Sequence, residues 1–358
     1  MESDIIEKRV KKLQALLREK DIDCLIVTSV PNVTYLTGFS GDDSWAVVLK
    51  NAIYLVTDSR YTEQSQKQCR YCKIIERKKS LSLAFLSLLT KHKTVKTVSL
   101  ESSTSVLIWK ALRKDTKLKI TAVDGLVESC RDIKDAMEIS ATRKAITVAK
   151  NALAKALKQV KPGITEAQLA AIIDYEIHCC ASPNSFDTIV AFGGNASCPH
   201  HQPTNRTLKN NDTILIDFGA KVQGYCSDLT RCYAIGKTSK LYQKAYEVCC
   251  YAQRQAIKAV KAGEKIVDVD KVAREIIAQA DLPVYGHGTG HGTGLEIHEK
   301  PSVSPLNKGI LKAGQIITIE PAVYIPGQLG IRIEDDVLVT ETGCEVLSKS
   351  CPHGPCLG

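Results

Sequence analysis

Four carboxylates recur in register in two segments of the chain that lie about a hundred residues apart. In the first segment an apolar strand ends on Asp217, and Asp228 follows a glycine turn. In the second segment Glu320 and Glu334 hold the same two places. A carboxylate inside an apolar strand is costly to bury unless it is paired or bound to a cation. Because the chain repeats this cost, the pattern predicts a metal site.

The repetition also predicts a role for each acid. A duplicated element brings equivalent strands face to face, so the four acids would meet at one axis. We expect Asp228 and Glu334 each to bridge two divalent cations, while Asp217 and Glu320 each hold one. Two cations ~3.5–4 Å apart would neutralise four carboxylates that otherwise repel one another. Oxygen-rich ligation favours manganese in principle, with cobalt or zinc left open.

A glycine-rich segment at 286–298 adds histidines to the acids. Five glycines alternate with other residues there, so a helix would lose about 1 kcal/mol per glycine relative to alanine, and an extended chain is favoured. In an extended chain His287 and His291 project to one face. We expect His291 to be a metal ligand, and His200, His287 and His298 to contact the substrate or support the ligands.

The remaining histidines and the fourteen cysteines carry no such signal. His92, His178 and His353 are expected to be ordinary hydrogen-bonding side chains, and His201 to be exposed. The cysteines, including the adjacent pairs at 179–180 and 249–250, are expected to be mostly small buried residues. The C-x-x-C at 69–72 has no second cysteine pair at zinc-finger spacing.

The elements that must position these residues repeat as well. Long amphipathic stretches are predicted at 132–161 and 240–261, and residues 158–163 match 258–263 at four of six positions. An H-x-x-P motif begins at His200 and again at His298. The order helix, glycine, second helix, histidine, acidic hairpin therefore occurs twice, which indicates an internal duplication. We predict an α+β domain with a pseudo-two-fold axis and helices outside a curved antiparallel sheet.

The first 125 residues show a different pattern, with shorter predicted helices and strands. Helices are predicted at 5–20 and 81–89, and strands at 24–27 and 95–100, with a hairpin formed by 46–49 and 53–56. These elements predict a small α/β domain at 1–125, followed by the catalytic domain at 126–350 and a tail at 351–358. A chain of 358 residues exceeds the usual size of one core.

Composition argues against several classes of protein. No run approaches the ~18 consecutive apolar residues of a membrane helix, and the first twenty residues do not resemble a signal peptide. We therefore expect a cytoplasmic protein without a membrane partner. The formal net charge of +9 is spread along the chain and only 5% of residues are aromatic, so we expect no nucleic-acid partner.

Together these residues resemble the pita-bread metallopeptidases and, among them, the Xaa-Pro peptidases prolidase and aminopeptidase P. The family's ligand order Asp, Asp, His, Glu, Glu falls on Asp217, Asp228, His291, Glu320 and Glu334. Its substrate-binding and catalytic histidines match His200, His287 and His298. Residues 32–39 and 57–61 resemble its amino-terminal domain. The resemblance implies a homodimer in which residues 31–45 reach the partner's pocket.

The resemblance also implies hydrolysis of Xaa-Pro peptide bonds by a metal-bridging hydroxide. Glu320 would relay the proton, His287 and His298 would contact the substrate carbonyl and the oxyanion, and His200 would orient the proline side. We also expect Arg332 to contact the substrate. An Xaa-Pro dipeptidase, or prolidase, is the expected enzyme. An aminopeptidase P that acts on longer peptides stays open as the alternative.

Three rivals fit the residues less well. A methionine aminopeptidase usually needs no amino-terminal domain of this type. A dinuclear phosphatase would bring a phosphate-binding loop or an arginine pair, and neither accompanies the acids. A catalytically inactive binding protein of the same fold would have lost ligands, whereas all five are present.

Overall fold

The computed structural model describes residues 2–115 and 118–351. Its internal contacts divide the chain into two compact units, Met1–Arg131 and Asp132–Gly358. The domain limits at 125 and 350 stay predictions. Of the predicted tail only Cys351 is described, so the expectation for His353 lies outside the described residues.

The first unit is a six-stranded mixed sheet with helices. Its elements are α1 (Glu2–Glu19), β1 (Cys24–Val27), α2 (Val30–Thr37), β2 (Trp45–Leu49), β3 (Ala52–Thr57), α3 (Thr62–Gln68), β4 (Lys73–Glu76), α4 (Leu81–Leu89), β5 (Thr97–Glu101), α5 (Val106–Asp115), β6 (Lys119–Val123) and α6 (Leu126–Arg131). The strand order is β4-β3-β2-β1-β5-β6. All four residues of β1 are buried, as expected for a central strand covered on both faces.

Local sequence explains several of these elements. The α4 helix begins after Ser80, whose hydroxyl accepts a hydrogen bond from Leu83 N, a typical N-cap. Its limits agree with the predicted 81–89 helix. The β2 and β3 strands pair antiparallel across a short turn, which confirms the predicted hairpin. The strand predicted at 95–100 begins two residues later.

The second unit holds two similar halves. The first half contains α7 (Ala136–Leu157), α8 (Glu166–His178), β7 (Ile189–Phe192), β8 (Thr213–Phe218), β9 (Lys221–Val222), β10 (Tyr225–Cys226) and β11 (Leu229–Ala234). The second half contains α9 (Lys240–Ala259), α10 (Ile266–Gln279), β12 (Gly290–Gly292), β13 (Glu299–Val303), β14 (Ile316–Ile319), β15 (Ala322–Ile325), β16 (Leu329–Arg332), β17 (Asp335–Val339) and β18 (Cys344–Val346).

Strand pairing shows the duplication directly. In the first half β8 pairs antiparallel with β7 and β11, and the two-stranded ribbon β9–β10 is inserted between β8 and β11. In the second half β14 pairs antiparallel with β12 and β17, and the ribbon β15–β16 is inserted in the same way. The halves meet where Thr230 forms an isolated antiparallel bridge with Glu334. This arrangement confirms the predicted α+β class and its internal repeat.

The helix pair of each half packs on the strands of that half, and α9–α10 also packs on Ala191 of β7, Leu215 of β8 and Cys232 of β11. The α7–α8 pair shares an apolar cluster with residues of β7, β8 and β11, and the α9–α10 pair shares another with residues of β14, β16 and β17. Strands that carry the acids are therefore held from outside by helices. Among the described residues, no helix combines the length and apolar character needed to span a membrane.

The cysteines follow the expectation only in part. Cys69 and Cys72 are buried, as is Cys249, but Cys179 and Cys180 are exposed. The expectation of burial was wrong for this adjacent pair because both residues follow the last turn of α8, where the chain turns at the surface.

Candidate active site

The four repeated acids lie where the sheet strands β8, β11, β14 and β17 join the inserted ribbons β9–β10 and β15–β16. Asp217 is near the end of β8, and Asp228 immediately precedes β11. Glu320 immediately follows β14, and Glu334 lies between β16 and β17. All four line one cavity of about 740 Å³ in the second unit. The same cavity is lined by His200, His287, His291 and His298.

Three of the predicted ligands already form a compact cluster. Asp228, His291 and Glu334 each offer one ligand atom, and these atoms lie within 4.8 Å of one another. His291 Nε2 is 3.5 Å from Asp228 Oδ2 and 3.6 Å from Glu320 Oε1. His291 Nδ1 is 3.0 Å from Gly292 O. A proton on Nδ1 would donate to this carbonyl, which leaves Nε2 as the atom facing the acids.

Asp217 supplies the test of whether a cation fits. Its Oδ2 accepts a hydrogen bond from Arg332 Nη2 at 2.5 Å. Its Oδ1 is buried and has no hydrogen-bond partner among the described residues. A buried carboxylate oxygen without a partner costs free energy unless a ligand satisfies it. Divalent cations fit this donor set, since carboxylate oxygens and one imidazole nitrogen are their usual ligands.

The electrostatics of the cluster give the same indication. Burial, followed by repulsion from neighbouring carboxylates, raises the pKa of Asp228 and of Glu334 well above the usual range. Burial also raises the pKa of Glu320 to about 8 and lowers the pKa of His291 to about 4. Without a cation these acids resist ionisation at neutral pH, whereas bound cations would favour their charged forms.

The glycine-rich segment places both of its first histidines beside Glu320. His287 Nδ1 is 3.9 Å from Glu320 Oε2, and His291 approaches the other carboxylate oxygen. Only residues 290–292 form a strand, so the extended conformation predicted from the glycines is regular over a short stretch. A Cβ on Gly290 would lie 1.9 Å from Thr318 O. This glycine is therefore required for the strand to pack closely against β14.

Two side chains of helix α10 form hydrogen bonds with the start of the same segment. Asp270 is fully buried, and its Oδ1 accepts hydrogen bonds from both the N–H and the hydroxyl of Thr289. Its Oδ2 accepts from Arg274 Nε at 2.7 Å, and Arg274 donates to the carbonyl oxygens of Tyr285 and His287. The carboxylate thus fixes the backbone on both sides of Gly288. Nothing in the local sequence marked Asp270 for this contact.

His298 and His200 border the acids from two other directions. The His298 ring packs edge to face on the His291 ring, with the centroids 4.5 Å apart. His200 follows Pro199, whose carbonyl oxygen accepts a hydrogen bond from Arg332 Nη1 at 3.3 Å. Both histidines line the cavity without belonging to the compact cluster of ligand atoms. Their predicted roles in substrate contact stay predictions.

Arg332 lies in the cavity wall, but it is only 4% exposed. Besides Asp217 and Pro199, its guanidinium donates to Thr230 Oγ1 at 3.1 Å and to Tyr324 OH at 2.7 Å. Tyr324 OH lies in turn 3.2 Å from His287 Nε2. These contacts join the two halves of the second unit. The expected contact of Arg332 with substrate stays a prediction.

His201 corrects one expectation. It was expected to be exposed, yet its side chain is only 13% exposed, and its Nε2 lies 2.9 Å from an oxygen of the buried Glu166. The two residues are 35 positions apart, so no local sequence pattern indicates the pairing. His92 and His178 behave as expected, with hydrogen bonds to Tyr54 OH and to Asp174 O.

Comparison with known protein families matches residues 140–341 to metallopeptidase family M24 and residues 9–133 to the creatinase/prolidase N-terminal domain. The chain belongs to metallopeptidase family M24. It is therefore a peptidase with the two-domain, pita-bread architecture of that family, as the resemblance implied. Membership in a metallopeptidase family also agrees with divalent-metal binding at the cluster around His291.

Individual relatives cover nearly the whole M24 chain. An Xaa-Pro dipeptidase of Pyrococcus horikoshii is 32% identical over 352 residues, which cover 97% of this chain and 98% of the relative. The solved Xaa-Pro dipeptidase from Bacillus anthracis has a TM-score of 0.93 at 30% identity and covers 98% of this chain and 100% of that one. The solved X-Pro aminopeptidase from Thermotoga maritima has a TM-score of 0.88 at 32% identity, with 94% and 98% covered.

Proposed function

We propose that the protein hydrolyses Xaa-Pro peptide bonds as an Xaa-Pro dipeptidase of the prolidase type. The observation that supports this most is the convergence of four acids and His291 on one cavity that His200, His287 and His298 also line. The similarity to Xaa-Pro dipeptidases along almost the entire chain supports the substrate class. Proline needs a dedicated site because its nitrogen lacks an N–H and its ring fixes the backbone.

The five ligands proposed for two divalent cations are Asp217, Asp228, His291, Glu320 and Glu334. When bound, the cations would lower the pKa of a shared water and so supply a hydroxide nucleophile at neutral pH. We propose manganese as the native metal, because the donors are mainly oxygens. Asp217 Oδ2 accepts a hydrogen bond from Arg332, whereas its Oδ1 has no hydrogen-bond partner among the described residues. This free oxygen supports the proposal that a cation binds there.

The side chains around the acids would position the peptide and move protons. Glu320 lies beside both His287 and His291, so it is placed to accept a proton and pass it on. Burial lowers the pKa of His287 to about 4, which keeps its ring neutral at neutral pH. Since Tyr324 OH also accepts from Arg332, its own proton can be donated to His287 Nε2. His298 would contact the developing oxyanion, and His200 the proline side.

One assay tests the proposal. Hydrolysis of Ala-Pro should require added manganese and should disappear after treatment with a chelator. Ala-Ala of the same length serves as the matched control and should be cleaved at least tenfold more slowly. Equal cleavage of Ala-Pro and Ala-Ala would refute proline specificity, and full activity in chelator would refute the metal requirement.

An aminopeptidase P activity is the second candidate. The likeness to the solved X-Pro aminopeptidase from Thermotoga maritima is nearly as strong as that to the dipeptidase. Comparing Ala-Pro with Ala-Pro-Ala and longer peptides separates the two activities. Faster turnover of the longer peptides would favour the aminopeptidase. The homodimer and the cytoplasmic location stay predictions.

A further inference from the structure

A buried carboxylate and a histidine form a pair in the cavity wall outside the proposed metal ligands. Glu166 begins α8 and is fully buried. His201 belongs to the loop that also carries His200, and it lines the same cavity as the acids. Their nearest atoms, Glu166 Oε2 and His201 Nε2, are 2.9 Å apart. None of the proposed steps of hydrolysis uses this pair.

The contacts of Glu166 require it to be an acceptor. Its Oε1 accepts from Phe192 N at 2.7 Å and from Asn195 Nδ2 at 2.9 Å. Its Oε2 accepts from the N–H and the hydroxyl of Thr204 at 3.0 and 2.6 Å. Burial by itself would raise the pKa of Glu166, but the hydrogen bonds from Thr204 and His201 outweigh it, and the pKa lies below the usual value. Glu166 is therefore ionised.

This ionised partner determines what His201 can offer a ligand. Because Glu166 cannot donate, His201 Nε2 must carry the proton shared between them. His201 Nδ1 has no hydrogen-bond partner among the described residues, and it is not one of the buried unpaired atoms. Only a ring that carries a second proton, on Nδ1, can donate an N–H to an anionic ligand in the cavity that His201 lines.

His201 differs from the other basic side chains of the cavity in the partners that engage it. Among the described residues that line the cavity, Arg332 is the only arginine or lysine, and its guanidinium is engaged by Asp217, Tyr324, Thr230 and Pro199. His287 and His291 lie against Glu320. His201 is thus the cavity histidine whose acidic partner lies outside the proposed ligand set.

We propose that His201, held by Glu166, binds the free carboxylate of the proline residue in an Xaa-Pro dipeptide. The inference rests on the proposed function, because it assigns the wall beside His200 to the proline side of the substrate. The pair is then a specificity determinant for short peptides, and Glu166 is a positioning residue that acts through His201. A charge-assisted hydrogen bond of this kind contributes roughly tenfold or more to affinity.

Steady-state kinetics with Ala-Pro and Ala-Pro-amide test the assignment, since the two substrates differ only at the carboxylate. His201→Gln should raise KM for Ala-Pro about tenfold, with kcat within twofold and KM for the amide unchanged. Glu166→Gln should shift KM in the same direction. Gln202→Ala, at the neighbouring cavity residue, is the matched control and should leave both KM values unchanged. Equal effects of His201→Gln on the two substrates, or no effect, would overturn the inference.

A measurement on the unaltered enzyme covers the case in which the variants fold poorly. L-proline should inhibit competitively at a concentration about tenfold lower than L-prolinamide, and equal inhibition would overturn the carboxylate contact. An enzyme that cleaves neither Ala-Pro nor its amide would refute the proposed function and the inference with it. An enzyme that cleaves both, with an unchanged KM ratio in His201→Gln, would refute the inference alone.

Discussion

Removing the metal should make the stability of the second unit depend on pH in a direction opposite to ordinary acid denaturation. Burial and mutual repulsion raise the pKa values of Asp228, Glu334 and Glu320 in the metal-free protein. The folded state therefore keeps protons that the unfolded chain releases. Because the folded state binds more protons, the free energy of unfolding falls as pH rises through this window.

Glu320 sets the size of the effect. Its pKa is raised from 4.5 to about 8, so its ionisation costs the folded metal-free protein about 5 kcal/mol. The cost is absent below pH 4.5 and fully present above pH 8. Bound cations replace the protons and remove it. For a unit of this size, 5 kcal/mol corresponds to roughly 10–20 °C in melting temperature.

Thermal unfolding of manganese-loaded and chelator-dialysed protein from pH 5 to pH 8.5 measures this difference. The gap between the two melting temperatures should widen with pH, mainly through a fall in the metal-free value. Glu334→Gln should raise the metal-free melting temperature at pH 8, because it removes an acid whose raised pKa destabilises the folded state at that pH. Glu341→Gln, at an exposed acid, is the matched control and should change nothing. A constant gap, or a metal-free protein that is more stable at pH 8 than at pH 5, would refute the reasoning.

Two other predictions rest on contacts in the site, and a third rests on the family resemblance. Asp228→Ala should lose both bound metal, measured by plasma mass spectrometry, and activity. His298→Ala should retain metal and lower kcat. Equal metal loss in the two variants would make His298 a ligand. Asp270→Asn should lower kcat about tenfold with metal content intact, because it loosens the backbone at Thr289 and His287; an unchanged kcat would show that this tether is dispensable. Sedimentation velocity should show a homodimer, and a monomer at working concentration would contradict the expectation.

Features repeated in the sequence could be predicted, whereas single long-range pairings could not. The acids repeat with their flanking strands, so their places at the ends of β8 and β14 follow from apolar runs and glycine turns. The short inserted ribbons β9–β10 and β15–β16 were missed as separate strands because two to four residues are too few for a periodic signal. The Glu166 to His201 contact depends on how α8 packs against a distant loop, which local propensity does not specify.

The departures from symmetry explain how a duplicated fold gains a directional site. An offset of 106 relates Asp228 to Glu334, and at that offset Thr230 corresponds to Asp336. Each of these two residues forms a hydrogen bond with the acid-bearing residue of the other half. Thr230 Oγ1 donates to Glu334 Oε2, and Asp228 N donates to Asp336 Oδ2. The same offset pairs Arg332 with the thiol of Cys226, so at this pair of positions only the second half carries a guanidinium.

That guanidinium ties Asp217 of the first half to Tyr324 of the second, and through Tyr324 to His287. The symmetric positions therefore account for a metal site with equivalent ligands. A symmetric site alone could not distinguish the amino side of a peptide from its carboxyl side. Arg332, the glycine-rich segment at 286–298 and the Glu166–His201 pair occur once each, so we expect the polarity of peptide binding to depend on them.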